Sequence, residues 1–394
     1  MNERTRAYLR GRFRDYYRRR TPALPPAAER REWGYIPFTD SPGTTMVRHN
    51  SLLDLGDLGA FLQQTRPRHV YFSAGRYDDP GASTMDAKGW QGSDLIFDLD
   101  ADHLPGIDPD KVPYPEMLAA CKEELGRLLA ILREDFGFED LTVVFSGGRG
   151  YHVHVREDAV RSLSRDARRE VVDYIRGNDV SFDELVRTET VAGAFGRSTP
   201  AEKRSLPTGG GWGGRIHRRL LRELDELTAL PSDEAIDRLC EIEGIGADRA
   251  RKVMTAATNS RDAIAAGTID VNEGVLRLAR HLATEVVAAQ GAAIDEPVTT
   301  DTHRLIRLPG SLHGGTALVV RPIDPDTLDA FDPLEDAIPE PFVGHEITVR
   351  TDGGPPVELG GETFTLPDGL TSLPEYVAMF LMARGRAEKE REPQ

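Results

Sequence analysis

Hydrophobic residues follow a helical period in two segments near the start of the chain. Residues 115–136 place leucines three or four positions apart, which predicts one helix with a single buried stripe. Residues 4–20 carry four aromatic side chains at roughly helical spacing among eight arginines and predict a basic amphipathic helix. The pattern does not decide between two interpretations of the basic face: one exposed to solvent, or one that contacts nucleic acid or a partner.

Shorter runs of apolar, β-branched and aromatic residues predict strands. They lie at residues 69–73, 94–100, 141–145 and 151–155. Farther along, the pattern predicts a helix, then a hairpin, then an apolar helix before a charged, disordered end. These three elements are expected at residues 275–290, 346–366 and 373–382.

The segment at residues 181–270 is charged and rich in helix-forming residues, which predicts a helical insertion. Five of the seven residues at 208–214 are glycine, so this run predicts an irregular, mobile loop. The run at 242–253 is similar to half of a helix-hairpin-helix element, in which a glycine turn presents backbone N–H groups to a phosphate. We favour the simpler interpretation, a helix that ends at a glycine turn.

The length of 394 residues exceeds what one hydrophobic core usually absorbs, so we expect one large domain with a sizeable insertion, or two domains. Hydrophobic residues make up 39% of the chain, and no run approaches the roughly 20 apolar residues of a membrane span. The N-terminus lacks the apolar core of a signal peptide, and two cysteines are too few for a disulfide framework. We therefore expect no membrane association and a cytoplasmic location.

The formal net charge of −16, taken alone, argues against a nucleic-acid partner. However, only six of the 49 basic residues are lysine, and the rest are arginine. Surfaces rich in acid and poor in lysine suit a very salty cytoplasm. The net charge therefore fits adaptation to the solvent and does not exclude a polyanionic ligand.

The strongest chemical signal is a pair of aspartates on one predicted strand. Asp98 and Asp100 are two residues apart, so the alternation of a strand puts both on one face. Two carboxylates on one face can share a pair of divalent ions, which is the chemistry of nucleotidyl transfer. An acidic, solvent-facing strand end is the simpler alternative.

A glycine-rich turn follows the aspartates, between the predicted strands at 141–145 and 151–155. Its glycines let backbone N–H groups approach a phosphate, and Ser146, Arg149 and His152 add a hydroxyl, a guanidinium and an imidazole. The turn therefore predicts an anion-binding site. His154 shares a face with His152, but a structural role is the better interpretation for it.

A third run, residues 294–314, mixes acids, arginines and a histidine around apolar residues, which is hard to explain as plain surface. Its candidate metal ligands are Asp295 and Asp301. Its candidate phosphate ligands are Arg304, Arg307 and His313.

Together these runs resemble, in order and spacing, the small catalytic subunit of the archaeo-eukaryotic DNA primases. FDLD at 97–100, SGGRGYH at 146–152 and RLIRLPGSLH at 304–313 are similar to the three active-site motifs of that family. Three further runs look like its N-terminal blocks: YYRRR at 16–20, REWGY at 31–35 and VRHNS at 47–51. The charge and composition point to a salt-adapted archaeal member.

The resemblance implies a mixed α/β (α+β) fold with a small mixed sheet like that of RNA-recognition folds. It makes residues 1–180 and 271–394 the primase catalytic domain and residues 181–270 a helical insertion subdomain. It also implies the function, which is DNA-dependent synthesis of short RNA primers on a single-stranded template for DNA replication. Whether DNA primers are made as well stays open.

The resemblance also assigns roles to residues. Asp98 and Asp100 become two of three metal-binding aspartates for two Mg²⁺ or Mn²⁺ ions. Asp295 is the third, because the family's carboxylate stands well upstream of its Ser-Leu-His element, and Asp301 remains the alternative. The residues expected to bind the nucleoside triphosphate are Ser146, Arg149, His152, Arg307 and His313, with Arg31 and Arg48 as weaker candidates.

One departure from the family concerns zinc. Many relatives carry a cysteine-rich zinc knob after the Asp-x-Asp strand, and here residues 103–121 offer only His103 and Cys121 as soft ligands. Structural zinc needs about four ligands, so we predict no zinc. The implied partners are a large primase subunit with an iron–sulfur domain, single-stranded DNA and nucleoside triphosphates.

Two other functions stay open. A primase-like repair polymerase or end-joining nucleotidyltransferase uses the same three carboxylates but extends existing ends, so initiation without a primer separates it from a primase. A non-catalytic nucleic-acid-binding module could keep the fold, although a binder has no use for three carboxylates beside a polyanion.

Overall fold

The structure, a computed structural model, describes residues 1–39, 45–191 and 201–390. The chain divides into two compact units. The first unit comprises Met1–Leu125, Glu139–Val172 and Ala293–Gln394, and the second comprises Gly126–Phe138 and Asp173–Ala292.

Helices and short strands are interspersed along the chain, which confirms the mixed α/β class. The helices are α1 (Glu3–Arg19), α2 (Leu52–Leu55), α3 (Leu58–Thr65), α4 (Tyr114–Glu134), α5 (Asp158–Arg161), α6 (Arg165–Arg176), α7 (Phe182–Leu185), α8 (Gly211–Ala229), α9 (Ser232–Cys240), α10 (Ala247–Asn259), α11 (Arg261–Ala265), α12 (Glu273–Gln290), α13 (Glu296–Thr300), α14 (Pro333–Asp336) and α15 (Glu375–Ala383). The strands are β1 (Trp33–Ile36), β2 (Val47–Asn50), β3 (His69–Ser73), β4 (Gly75–Tyr77), β5 (Trp90–Ser93), β6 (Leu95–Asp100), β7 (Leu141–Phe145), β8 (Gly150–Val155), β9 (Arg187–Val191), β10 (Ala201–Ser205), β11 (Leu305–Arg307), β12 (Arg321–Ile323), β13 (Glu346–Asp352), β14 (Val357–Leu359), β15 (Glu362–Phe364), β16 (Asp368–Pro374) and β17 (Ala387–Lys389).

Two four-stranded sheets lie in the first unit. Sheet I has the strand order β11-β3-β1-β2, and sheet II has the order β12-β7-β8-β6. Every described pair in both sheets is antiparallel, where we expected a mixed sheet. In sheet II the strands β7 and β8 are joined by a short turn, a connection that only antiparallel neighbours allow.

The register of sheet II fixes the direction of the acidic side chains. Strand β6 pairs with β8 so that Asp98 lies opposite His152 and Asp100 lies opposite Gly150. The alternate side chains of β6 point to the other face and are fully buried, as the period of two predicts. They are Leu95, Phe97 and Leu99.

A buried ion pair ties the start of β1 to the start of β6. The Arg31 guanidinium donates to Asp94 Oδ2 at 2.6 Å, and both side chains are 0% exposed. It also donates to the carbonyl oxygens of Pro26, Ser73 and Ala74 at 2.7–3.0 Å. Arg31, a weaker nucleotide-binding candidate from the sequence, thus has its donors engaged inside the protein.

The second unit is mostly helical. Its core is formed by fully buried apolar side chains of α8, α10 and α12, among them Ile216, Leu220, Leu224, Val253 and Leu278. The unit also contains the hairpin of β9 and β10, where the sequence predicted only helices. The β-branched residues Thr188 and Thr190 favour a strand in β9.

The glycine run at 208–214 is not wholly irregular, which corrects our expectation of a loop. Helix α8 begins at Gly211 and includes the last glycines of the run. A Cβ at Gly214 would lie 1.6 Å from the carbonyl oxygen of Gly209, and one at Gly213 would lie 2.7 Å from Pro207 Cδ. The glycines therefore let the incoming chain pack directly on the first turn of the helix.

The C-terminal region also differs from the prediction. Strand β13 pairs with β16 rather than within the predicted hairpin at 346–366, and β14 and β15 pair with each other inside that span. The apolar helix is confirmed as α15. The segment expected to be disordered contains β17, which pairs with β13, and residues 391–394 of that segment lie outside the described residues.

The buried ion pair predicts a large loss of stability when one partner is removed. The variant Asp94→Ala leaves Arg31 charged and buried, so we expect the free energy of unfolding to fall by about 3–5 kcal/mol. Chemical denaturation at a fixed salt concentration measures this loss. The control is Asp158→Ala, which breaks an exposed ion pair with Arg161. It should lower the free energy of unfolding by less than about 1 kcal/mol. Equal losses for both variants would contradict the assignment.

Candidate active site

Asp98 and His152 form the centre of the acidic face of sheet II. The Asp98 Oδ1 atom lies 3.4 Å from His152 Nε2 across the β6–β8 pair. Burial, reinforced by the charges of Arg307 and Arg304, lowers the pKa of His152 to about 3. The imidazole is therefore neutral at physiological pH and supplies no positive charge to balance Asp98.

The Asp98 carboxylate lies in an unfavourable environment for a negative charge. Burial is the main cause, and the charges of Asp100 and Asp295 add to it, so the pKa of Asp98 is raised to about 7. The positive charges of Arg307 and Arg304 act in the opposite direction but do not cancel the effect. A buried carboxylate held against two others is typical of a site that binds a cation.

The two candidates for the third carboxylate lie at opposite ends of α13. Asp295 precedes the helix, and its backbone N–H donates to the carbonyl oxygen of Asp98 at 2.9 Å. Asp301 follows the helix and is exposed, and its carboxylate accepts a hydrogen bond from the backbone N–H of His303 at 2.9 Å. Of the two, only Asp295 is among the charges that raise the pKa of Asp98.

The glycine-rich turn between β7 and β8 is closed by its own hydrogen bonds. The backbone N–H of Ser146 donates to the Gly150 carbonyl oxygen at 2.9 Å, and the N–H of Gly148 donates to Ser146 Oγ at 3.2 Å. Gly147 has a φ of 75°, and a Cβ there would lie 2.6 Å from His313 Cβ. Glycine is therefore required where this turn meets the third motif.

Arg149 leaves this turn on the side of the aspartates. Its Nε lies 3.8 Å from Asp100 Oδ1, and its Nη2 donates to the Asp102 carboxylate. The side chain is 37% exposed. The guanidinium therefore lies between the acidic face and solvent, where it can exchange a carboxylate for a phosphate.

Arg307 and His313 supply donors from the third motif. The Arg307 guanidinium lies 5.8 Å from the centre of the Tyr71 ring, and its Nε is buried without a hydrogen-bond partner among the described residues. The His313 Nδ1 atom lies 3.1 Å from Thr316 Oγ1. Burial, together with the charge of Arg307, lowers the pKa of His313 well below its usual value, so this imidazole is also neutral.

These groups surround one cleft of about 310 Å³, which is large enough for the phosphates of a nucleotide. The residues that line it are Asp100, Ser146, Gly148, Arg149, Arg307, His313, Gly315, Thr316 and Arg384. The structure thus brings together four of the five predicted triphosphate ligands. His152 is not among the described residues that line the cleft, since its side chain is buried beside Asp98. Thr316 and Arg384 were missed, since both follow the last recognisable motif.

The remaining candidates from the sequence lie elsewhere. His154 is fully buried, with its ring stacked on Phe72 at a centroid distance of 6.2 Å. Arg48 pairs with the buried carboxylate of Glu32 at 3.0 Å. Arg48 thus has a structural partner, whereas His154 makes ring contacts and both of its ring nitrogens are buried without a hydrogen-bond partner among the described residues.

The carboxylates fit a magnesium site that is completed by substrate phosphates and water rather than one formed by protein ligands alone. Within the described ranges, no three His, Cys, Asp or Glu side chains are grouped so that they could hold a metal ion by themselves. Mg²⁺ is usually bound through one or two carboxylates together with substrate phosphates and water. Asp98 and Asp100, beside a phosphate-sized cleft, fit that donor set.

Cys121, one of the two soft ligands considered for zinc, is a poor zinc ligand here. Burial, together with the charge of Asp100, raises the pKa of its thiol to about 12. Zinc binds the thiolate, so a thiol held neutral in this way does not favour it. The absence of zinc stays a prediction.

A strand that presents carboxylates beside a cleft lined by phosphate donors defines a nucleotidyltransferase. The sequence model of the family described as DNA primase small subunit matches residues 97–325. The chain belongs to this family, which confirms the resemblance.

Full-length relatives agree with the family model. DNA primase small subunit PriS of Haloarcula marismortui is 60% identical over 392 residues, which cover 100% of both chains. The PriS of Natronomonas pharaonis is 60% identical over 392 residues, with 99% of each chain covered. The PriS of Methanothrix thermoacetophila is 43% identical over 401 residues, with 98% of this chain and 100% of the relative covered. These relatives support an archaeal small subunit.

Among solved structures, the polymerase domain of Ligase D from Mycobacterium tuberculosis in complex with DNA matches 82% of this chain and 83% of that one. The identity is 14% and the TM-score is 0.32. A TM-score this low carries no argument.

The family establishes the activity. The chain is the catalytic subunit of a DNA primase, a nucleotidyltransferase that synthesises primers for DNA replication. Enzymes of this primase and polymerase family generally depend on divalent metal ions. In residues 1–39, 45–191 and 201–390, none of the helices combines the length and the apolar character that crossing a membrane requires.

The raised pKa of Asp98 predicts that its charge destabilises the metal-free protein. The carboxyl keeps its proton in the folded state up to about pH 7 but loses it near pH 3.8 when unfolded. The folded state therefore loses relative stability as the pH rises from about 4 to 7. At pH 8, with a chelator, Asp98→Asn should raise the free energy of unfolding by about 1–3 kcal/mol. Denaturation of both proteins between pH 5 and 8 tests this.

The control for this prediction is Asp110→Asn, which alters an exposed carboxylate and should change the free energy of unfolding by less than about 0.5 kcal/mol. Adding Mg²⁺ should stabilise the wild-type protein more than Asp98→Asn. A loss of stability in Asp98→Asn at pH 8, or equal stabilisation of both proteins by Mg²⁺, would contradict the interpretation.

Proposed function

We propose that Asp98, Asp100 and Asp295 hold two Mg²⁺ or Mn²⁺ ions and that the adjacent cleft binds the triphosphate of the incoming nucleotide. The observation that carries this proposal is the juxtaposition of two opposite sets of groups in one unit. A partly buried carboxylate, whose pKa is raised by burial and by its acidic neighbours, lies near a cleft lined by arginines, a histidine and two hydroxyl groups.

Each group in the site has a distinct task under this proposal. When bound, the metal ions would neutralise phosphate charge and favour ionisation of the attacking hydroxyl. The Ser146 hydroxyl donates to a phosphate oxygen, and Arg149 and Arg307 neutralise the charge that develops on the leaving pyrophosphate. His313 donates as a neutral imidazole. His152 lies beside Asp98 on the paired strand and helps to position it.

The substrate is a single-stranded DNA template with nucleoside triphosphates, and the product we propose is a short RNA primer. The small subunit would work with a large primase subunit that carries an iron–sulfur domain. Such a cluster needs four cysteine ligands, and this chain has two cysteines. The partner would therefore supply the cluster, and the small subunit would supply the carboxylates.

We further propose that residues 181–270 form an insertion into a catalytic domain made of residues 1–180 and 271–394. The buried apolar side chains of α8 to α11 support a helical core for this segment, and α12, which follows it, contributes to the same core. No observation favours a repair polymerase or a non-catalytic binding module over the primase.

The two-metal proposal predicts that the carboxylates of β6 are essential. The double variant Asp98→Ala and Asp100→Ala should reduce primer synthesis by at least about a thousandfold, because it removes the ligands of the ions that stabilise the transition state. The measurement is formation of labelled oligonucleotides on unprimed single-stranded DNA with Mg²⁺ or Mn²⁺, with and without a large subunit. Circular dichroism checks that the variant is folded.

Asp110→Ala serves as the matched control, since it removes an exposed carboxylate and should leave synthesis unchanged. Undiminished synthesis by the double variant would exclude the two-metal assignment. Synthesis by the wild-type protein only from a supplied 3′ end would instead favour the repair polymerase.

The geometry also predicts which aspartate is the third carboxylate. Asp295→Ala should abolish synthesis almost as fully as Asp98→Ala, because its charge acts on Asp98. Asp301→Ala should retain activity within about threefold, because this carboxylate serves a local turn. Primer synthesis by the two variants, at equal protein and metal concentrations, decides between them. The reverse order of activities would assign the role to Asp301.

A further inference from the structure

Arg384 lies outside residues 97–325, which the family model matches, yet its side chain lines the same cleft as the predicted phosphate ligands. It directly follows helix α15 as its C-cap residue, and its backbone N–H donates to the carbonyl oxygen of Phe380 at 3.2 Å. A separate part of the chain thus delivers a guanidinium to the site.

Two aromatic rings orient this guanidinium. Its Cζ atom lies 4.7 Å from the centre of the Tyr114 ring and 5.1 Å from the centre of the Phe380 ring. An arginine that stacks on rings keeps its N–H groups free at the edge of its plane, where they can donate to an anion. The side chain is therefore ordered before a ligand binds.

Tyr114 also ties Arg384 to the anion-binding turn. The Tyr114 hydroxyl donates to the carbonyl oxygen of Gly148, the glycine whose N–H bonds to Ser146. The ring that supports Arg384 is thus held by the turn that lines the cleft with Ser146, Gly148 and Arg149.

The charge of Arg384 is not balanced by a carboxylate. Across the described ranges, no acidic side chain forms an ion pair with its guanidinium, whereas Arg149 is paired with Asp100 and Asp102. Burial lowers the pKa of Arg384, and the nearby charge of Arg149 adds to the effect. Two cations held close together in a partly buried cleft are stabilised when one anion contacts both.

We propose that Arg384 is a ligand of the incoming nucleotide's triphosphate and that it binds in the cleft together with Arg149, Arg307 and His313. This inference rests on the proposed function, in which the cleft holds the triphosphate. It adds a substrate-binding residue from the C-terminal part of the chain. The same group would hold pyrophosphate after transfer, because the leaving group keeps two of the three phosphates.

The test compares Arg384→Gln, which removes the charge, with Arg384→Lys, which keeps it. Binding of ATP with Mg²⁺ and of pyrophosphate is measured by calorimetry at one fixed salt concentration, and the KM for ATP is measured in primer synthesis. We expect Arg384→Gln to raise the Kd for ATP and for pyrophosphate about tenfold, and Arg384→Lys to recover part of that loss. The control is Arg386→Ala. The Arg386 guanidinium donates to the Pro355 carbonyl oxygen outside the cleft, so the variant should bind both ligands normally.

Four outcomes would overturn the proposal. Equal losses in the glutamine and lysine variants would show that Arg384 acts through packing on its rings. Normal ATP binding with weakened binding of single-stranded DNA would assign it to the template. Normal ATP binding by both Arg384→Gln and Arg307→Ala would place the triphosphate elsewhere and would refute the proposed function as well. Weakened ATP binding by Arg307→Ala alone would refute only the role of Arg384.

Discussion

The pairing of β6 with β8 is the constraint on which the site depends. It sets Asp98 opposite His152 and Asp100 opposite Gly150, so one ladder of hydrogen bonds aligns the first two motifs. A Cβ at Gly150 would lie 1.7 Å from the carbonyl oxygen of Leu99. Only glycine allows this close approach, and a slip of one residue would turn both aspartates into the core.

The site is built from two sets of like charges that the fold holds side by side. Burial and the charges of Asp100 and Asp295 raise the pKa of Asp98, and burial and the charge of Arg307 lower the pKa values of His152 and His313. Each set alone is unfavourable, and under the proposed function each would contact one half of a metal–triphosphate ligand. The stability of the fold comes from elsewhere, in particular from the buried apolar side chains of the core.

Local patterns in the sequence predicted the helices α1, α4 and α12, three of the four strands of sheet II (β6, β7 and β8) and the residues that line most of the cleft. These elements have a strong period or a motif with its own chemistry. The pairing of β9 with β10 and the start of α8 were missed because charged residues and glycine have low strand and helix propensities, respectively. The partner of β13 depends on a contact between segments farther apart in the chain, which no local pattern encodes. Arg384 was missed for the same reason, since it is an ordinary arginine until the C-terminal segment carries it to the cleft.

The overall charge of the chain and the charge of its cleft have opposite signs, and the screening of charge by salt reconciles them. At about 1 M salt the Debye length is about 3 Å, so the net charge of −16 hardly repels a polyanion from a distance. By the same argument, long-range attraction cannot guide a nucleotide to the site. Recognition then depends on donors within hydrogen-bond distance of the phosphates. A cleft lined by guanidinium and hydroxyl groups meets that requirement, whereas a diffuse basic surface does not.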